Sequence, residues 1–154
     1  MDSTRKTREE LLSNYGQIIN GLCSPDEFVD MVMEDIITNT SGGIIKLDYD
    51  DVKSVLHKAS VVDAVRFQSQ GKKTELRQKL DAGLKKLTAA HPQKKVCALL
   101  LQITGSLGGF PMEDFAAFPE FISQFDNVDT KKYGMANRSN PGEGIYVTMI
   151  VGFK

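Results

Sequence analysis

The chain has 154 residues, 41% hydrophobic and 25% charged, with a formal net charge of -1, which fits one compact domain able to bury about two thirds of its unfolded surface without staples. That charge balance excludes an electrostatic drive toward nucleic acid or anionic membrane, so partners are expected to be proteins. No segment reaches the ~18 consecutive apolar residues of a membrane span, and Met1 to Arg8 is polar with no apolar stretch after it, which points to a cytoplasmic protein.

Thr7 and Glu10 form a capping-box pattern ahead of Leu11, Leu12, Tyr15, Ile18, Ile19 and Leu22, and predict a helix from Arg8 to Asn20. Ser24, Pro25 and Glu27 repeat the start signal, and Phe28, Val29, Val32, Met33, Ile36 and Ile37 give the second helix one broad apolar face that stops before Ser41, Gly42 and Gly43. Asp48 opens a third helix to about Ala59. Val61 to Gln70 reads as a strand closed by Gly71. Thr74 to Ala89 is helical, with Pro92 beyond it. Val96 to Ile103, apolar apart from Gln102, has the character of a central strand buried on both faces. Met112 to Phe125 is predicted helical, with Pro119 kinking it or splitting it after Ala117. Strands at Lys131 to Arg138 and Gly144 to Phe153 are expected to form a hairpin around Asn140, Pro141 and Gly142. The fold class expected is α+β, a mixed sheet of about four strands packed with helices, with residues 1–22 as a helical extension of the domain 23–154.

Cys23 and Cys97 have no C-x-x-C spacing and no histidine cluster, which argues against a disulfide framework or a zinc site. His57 and His91 have no spaced Asp, Ser or Cys that completes a triad or ligand set, and are expected to be structural. Phe115, Phe118, Phe121 and Phe125 keep helical spacing and are expected to pack on the sheet. The pairs Lys85, Lys86 and Lys94, Lys95 are too few for a nucleic-acid footprint and read as a solvated rim.

The stretch Gly43 to Val52, G-I-I-K-L-D-Y-D-D-V, joins a helix end to a helix start through spaced carboxylates. It resembles the FtsZ pattern G-L-x-N-x-D-x-x-D-V, with Asp48 and Asp51 on the acidic positions and Lys46 in place of the asparagine. Three later segments follow in that family's order. V-C-A-L-L-L-Q-I-T-G-S from Val96 is similar to V-L-x-N-I-T-G-G, K-K-Y-G-M-A from Lys131 to I-x-x-G-x-x, and I-Y-V-T-M-I-V-G-F from Ile145 to V-T-V-I-A-T-G-F. The resemblance covers about 35–154 and implies an FtsZ/tubulin C-terminal domain standing without the GTP-binding half. The family's phosphate motif G-G-G-T-G-S/T-G does not occur. Met1 before a charged, cap-ready segment fits either a natural start or a cut from a longer protein.

In that family the corresponding carboxylates reach the neighbouring subunit's γ-phosphate and orient water. The resemblance therefore implies a non-catalytic chain, without cofactor or metal, whose loop (Lys46, Asp48, Asp51) docks on FtsZ or another tubulin-family subunit. Two plainer readings stand beside it: the two aspartates cap the third helix, and Lys46 points to solvent. Two other functions compete, a self-associating structural homo-oligomer and an enzyme holding Mg²⁺ on Asp48 and Asp51.

Overall fold

The computed structural model describes residues 2–38, 40–45, 47–70, 72–106, 111–138 and 144–154. In chain order the elements are α1 (Asp2–Tyr15), α2 (Pro25–Val32), a π-helical segment (Met33–Thr38), β1 (Thr40–Ile45), α3 (Tyr49–Lys58), β2 (Val61–Ser69), α4 (Lys73–Ala90), β3 (Val96–Gly105), α5 (Met112–Phe115), α6 (Ala117–Ile122), β4 (Thr130–Arg138) and β5 (Ile145–Phe153).

Helix starts follow local chemistry where a capping box is complete. The Ser24 hydroxyl accepts the Glu27 N–H at 3.1 Å while the Glu27 carboxylate accepts the Ser24 N–H at 2.9 Å, so two donors without intrahelical partners are satisfied at the head of α2. The first helix departs from expectation. It begins at Asp2, leaving Thr7 in its interior, and ends at Tyr15 rather than Asn20. Beyond Gly16 the chain straightens beside β2: the Val62 N–H donates to the Ile18 carbonyl at 2.8 Å and the Asn20 N–H to the Val62 carbonyl at 3.1 Å. Ile19 is thereby buried through strand-like pairing instead of a longer helix.

Pro119 acts as expected, with the break at Ala116, one residue earlier than its sequence suggests. A continuous helix would drive the proline ring against the carbonyl of Phe115, the last residue of α5. Restarting at Ala117 puts Pro119 in the first turn of α6, where its missing N–H has no intrahelical partner to lose. The new helix ends at Ile122, short of Phe125.

The sheet order is β1-β4-β3-β5-β2, five strands among the described residues, with β3 at the centre as its apolar run requires. The expected hairpin of the last two strands is not formed. β3 separates them, running parallel to β4 with Leu101 opposite Tyr133, and antiparallel to β5 with Leu101 opposite Met149. β5 then pairs antiparallel with β2 along its whole length, from Val61 opposite Phe153 to Ser69 opposite Ile145. β5 is buried on both faces, as is β3, and such strands belong side by side inside a sheet. The Asn140, Pro141, Gly142 turn and Gly71 lie outside the described residues.

Strand alternation divides the core in two. Leu99, Leu101 and Ile103 of β3 join Val147, Met149 and Val151 of β5 against Leu76, Leu80 and Leu87 of α4 and the phenylalanines of α5 and α6. Phe115, Phe118 and Phe121 are buried and Phe125 is half-buried, so the aromatic stripe packs on the sheet. On the other face Ala98, Leu100 and Ile150 meet Leu11 of α1, Phe28 and Val32 of α2, and Val52, Val55 and Leu56 of α3. No helix among the described residues is long and apolar enough to cross a membrane.

Candidate functional site

The acidic loop enters α3 from a fixed point. Leu47 is buried against Gly134 of β4, where an added Cβ would come within 2.5 Å of both the Leu47 side chain and the Gln102 amide oxygen. Only glycine lets the leucine seat there, which sets where the next residue leaves the sheet. Asp48 then takes an extended conformation and caps the helix. Its Oδ1 accepts the Asp51 N–H at 3.2 Å, and Asp51 Oδ2 accepts the Asp48 N–H at 3.0 Å.

The two acids are not equivalent. Asp51 Oδ1 also accepts from Lys132 Nζ of β4 at 2.6 Å, and its side chain is only 13% exposed. Burial alone would raise the Asp51 carboxyl, but Lys132 and the Asp48 amide outweigh it and hold the group below the usual aspartate value. The Lys132 ammonium is shifted upward by the same contact. Asp51 is thus an anchor with both oxygens occupied. Asp48 is exposed and commits one oxygen to the cap, while its other oxygen accepts no hydrogen bond among the described residues. Asp50, with its side chain 85% exposed, pairs with Lys53 at 3.4 Å. Lys46 lies outside the described residues.

The structure therefore brings Asp48 and Asp51 together and adds Lys132, which sequence reasoning did not assign. Its only local signal was a lysine pair at the start of a strand, and nothing near residue 132 in the chain points to residue 51. Because the box already places two carboxylates on the positive helix end, this terminus is built to present oxygen acceptors rather than to bind an anion. Asp48 and Asp50 can meet a cation, an N–H donor or a water. Among the described residues no group of three or more His, Cys, Asp or Glu side chains is placed to hold a metal ion.

The histidines have partners that their sequence spacing hid. His57 shares a hydrogen bond with the Tyr15 hydroxyl at 2.5 Å, which ties α1 to the last turn of α3. His91 is buried with Nε2 2.9 Å from Asp63 Oδ2, and its ring lies 4.6 Å from that of Phe153. Asp63 also accepts backbone N–H groups from Leu22 at 2.7 Å, Cys23 at 3.1 Å and Ala64 at 2.8 Å. Burial, and then the nearby Asp63 carboxylate, push the Cys23 thiol up to about 12, so this cluster holds no ready thiolate nucleophile. It joins the turn before α2 to β2 and to the end of α4. Both cysteines are free.

No protein-family model and no curated protein matches the chain. Its fold does match solved structures. A point-mutant FtsZ from M. jannaschii superposes with a TM-score of 0.59 over 83% of this chain and 38% of that one, at 17% identity. An empty FtsZ dimer from M. jannaschii superposes with a TM-score of 0.51 over 83% of this chain and 37% of that one, at 16% identity. At such identities the likeness is one of fold. The chain spans less than two fifths of the length of these FtsZ chains, and the α+β mixed sheet with its helices has the architecture of the FtsZ C-terminal domain region.

Proposed function

We propose that this chain is a protein-interaction module that docks on subunits of a tubulin-family filament through the loop entering α3. Asp48 is the reaching carboxylate, Asp51 its anchor, and Lys46 the cation two residues before Asp48 in the sequence. The observation that carries the reading is an FtsZ-like fold, under two fifths of FtsZ in length, that keeps an exposed aspartate at a rigidly capped helix start. The chain contains no G-G-G-T-G-S/T-G phosphate loop. On this reading the 154 residues add to the nucleotide face of a filament end and themselves offer no such face to the next subunit. Head-to-tail growth stops at that point. An ammonium at Lys46 attracts phosphate as a point charge without positioning water as an amide does, so holding outlasts hydrolysis. The chain acts in the cytoplasm, on FtsZ or a relative, with no cofactor of its own. Residues 1–22 act as an extension that buttresses α3.

The test is light scattering of M. jannaschii FtsZ assembling with GTP while the protein is titrated in substoichiometrically, beside Asp48→Asn. Asparagine caps a helix as well as aspartate, so the variant removes charge and keeps the fold. The wild type is expected to lower the polymer signal, with the variant needing about tenfold more protein, as when one partner of a close charge pair is lost. No effect at equimolar protein, or equal potency of the two proteins, overturns the proposal. A self-associating protein of repurposed fold is then the better description.

A further inference from the structure

The outer edge of β2 lies in a groove of about 430 Å³ between α2 and α4, remote from the acidic loop. Val62 turns its N–H and C=O outward to Ile18 and Asn20, so with no register shift along the β2–β5 ladder Ala64 and Arg66 turn theirs outward too. The chain's own neighbouring segment stops short of them. It bends away at Gly21, whose φ of +136° only glycine adopts easily, and Asp63 then holds Leu22 and Cys23 by their amides. The Ala64 carbonyl and the Arg66 N–H and carbonyl make no hydrogen bond among the described residues, while the next outward carbonyl, that of Gln68, accepts from Lys79 Nζ.

The walls of the groove differ in chemistry. One carries Leu22, 46% exposed, and Met31. The other is a face of α4 on which Lys79 and Lys86 flank Ala82 and Gly83, where the helix packs closely on the sheet, a Cβ at Gly83 meeting the Val65 side chain at 3.3 Å. Lys79 is shared with Glu75 at 3.3 Å, and Lys86 has no ion pair among the described residues. The one acid lining the groove, Glu27, is committed to the capping box of α2. An unsatisfied strand edge calls for another strand, and these walls set its pattern, apolar side chains toward Leu22 and Met31 alternating with acids toward the lysines.

We propose that this groove binds an extended acidic–apolar segment of a partner protein as a sixth strand on β2, centred on Arg66. Strand addition draws affinity from main-chain hydrogen bonds and specificity from alternate side chains. A second copy would have to bring its own α2 and α4, which flank the same edge, up to this groove, so a single extended segment is the better fit. The site is separate from the α3 loop, so the two proposals fail independently.

The test uses the full chain and a fluorescein-labelled heptapeptide alternating valine and glutamate. Fluorescence anisotropy is read against a valine–lysine counterpart and against the same peptide N-methylated at alternate residues. The acidic peptide is expected to saturate, with both controls and the Lys86→Glu variant at least about tenfold weaker, a loss of one decade in Kd. The Arg66 amide is expected to gain protection from hydrogen exchange, and Asp48→Asn to bind the peptide as wild type does. Absence of saturable binding up to about 1 mM, or binding indifferent to N-methylation, overturns the proposal. Protection of the Arg66 amide that rises with protein concentration in the absence of peptide also overturns it, by giving the edge to a second copy.

Discussion

Asp63 offers the sharpest test of how the two sides of the molecule are joined. Its carboxylate is fully buried and serves four donors, the amides of Leu22, Cys23 and Ala64 and the His91 ring. In Asp63→Asn the oxygen facing Cys23 and Ala64 can remain, but the other becomes an NH₂ group against the Leu22 N–H. One orphaned buried donor costs about 1–3 kcal/mol. Asp63→Ala strands all three amides and the imidazole, and at about 1 kcal/mol or more for each orphaned buried donor the loss is about 3–5 kcal/mol. At about 2–4 °C per kcal/mol for a domain of this size, the midpoint should fall by about 2–12 °C for Asn and about 6–20 °C for Ala. Thermal and urea unfolding followed by circular dichroism measure this, and amide exchange at Leu22 and Cys23 should accelerate in both variants. An Asp63→Ala protein within about 1 kcal/mol of wild type, or one more stable than Asp63→Asn, refutes the reasoning.

Two further outcomes follow from the same geometry. Because the folded-state carboxyl of Asp51 is lowered, its charge contributes stability that is complete above the ordinary value of 3.8 and is lost as pH falls through the lowered folded value. The stability gap between wild type and Asp51→Asn, which keeps the cap acceptor, should therefore close below pH 3.8, and a gap independent of pH in urea titrations contradicts the ion pair with Lys132. In native protein, iodoacetamide followed by peptide mass mapping should label half-buried Cys97 well before Cys23, which is 4% exposed and whose thiol is pushed up to about 12. Equal rates before unfolding would mean that the turn before α2 opens far more readily than its hydrogen bonds imply.

What the sequence revealed was local. Ser24 with Glu27, and Asp48 with Asp51, are reciprocal side-chain and backbone contacts within one turn, so their spacing was enough to locate α2 and α3. The apolar run from Val96 announced a strand buried on both faces, and Pro119 announced a break. What stayed hidden was long-range. Adjacent strands with a turn between them read as a hairpin, and only the burial of β5 on both faces hinted at the interior place it takes between β3 and β2. β1, with the sequence T-S-G-G-I-I, has its strand propensity interrupted by Ser41, Gly42 and Gly43, which read as a helix stop, and pairs with β4. Met33–Thr38 carries the same apolar pattern whether α- or π-helical, so the change of winding left no mark. In the acidic loop the cap was legible, but the inequality of its aspartates depends on Lys132 from a distant strand.

The interior position of β5 bears on how the chain acquires its structure on the ribosome. Of the described strands it is the last to be synthesised, yet it is the neighbour on which β2 depends for its ladder and β3 for one of its two edges. Until it emerges, β2 is paired only at Val62, with Ile18 and Asn20, and one edge of β3 faces an empty lane, with two hydrophobic surfaces already translated. A nascent chain paused after β4 would be a substrate for chaperones, or a seed for aggregates, while a chain that includes β5 can close the gap. Expression yield should therefore depend more on the speed of translation through the last strand than on any one contact in the finished fold.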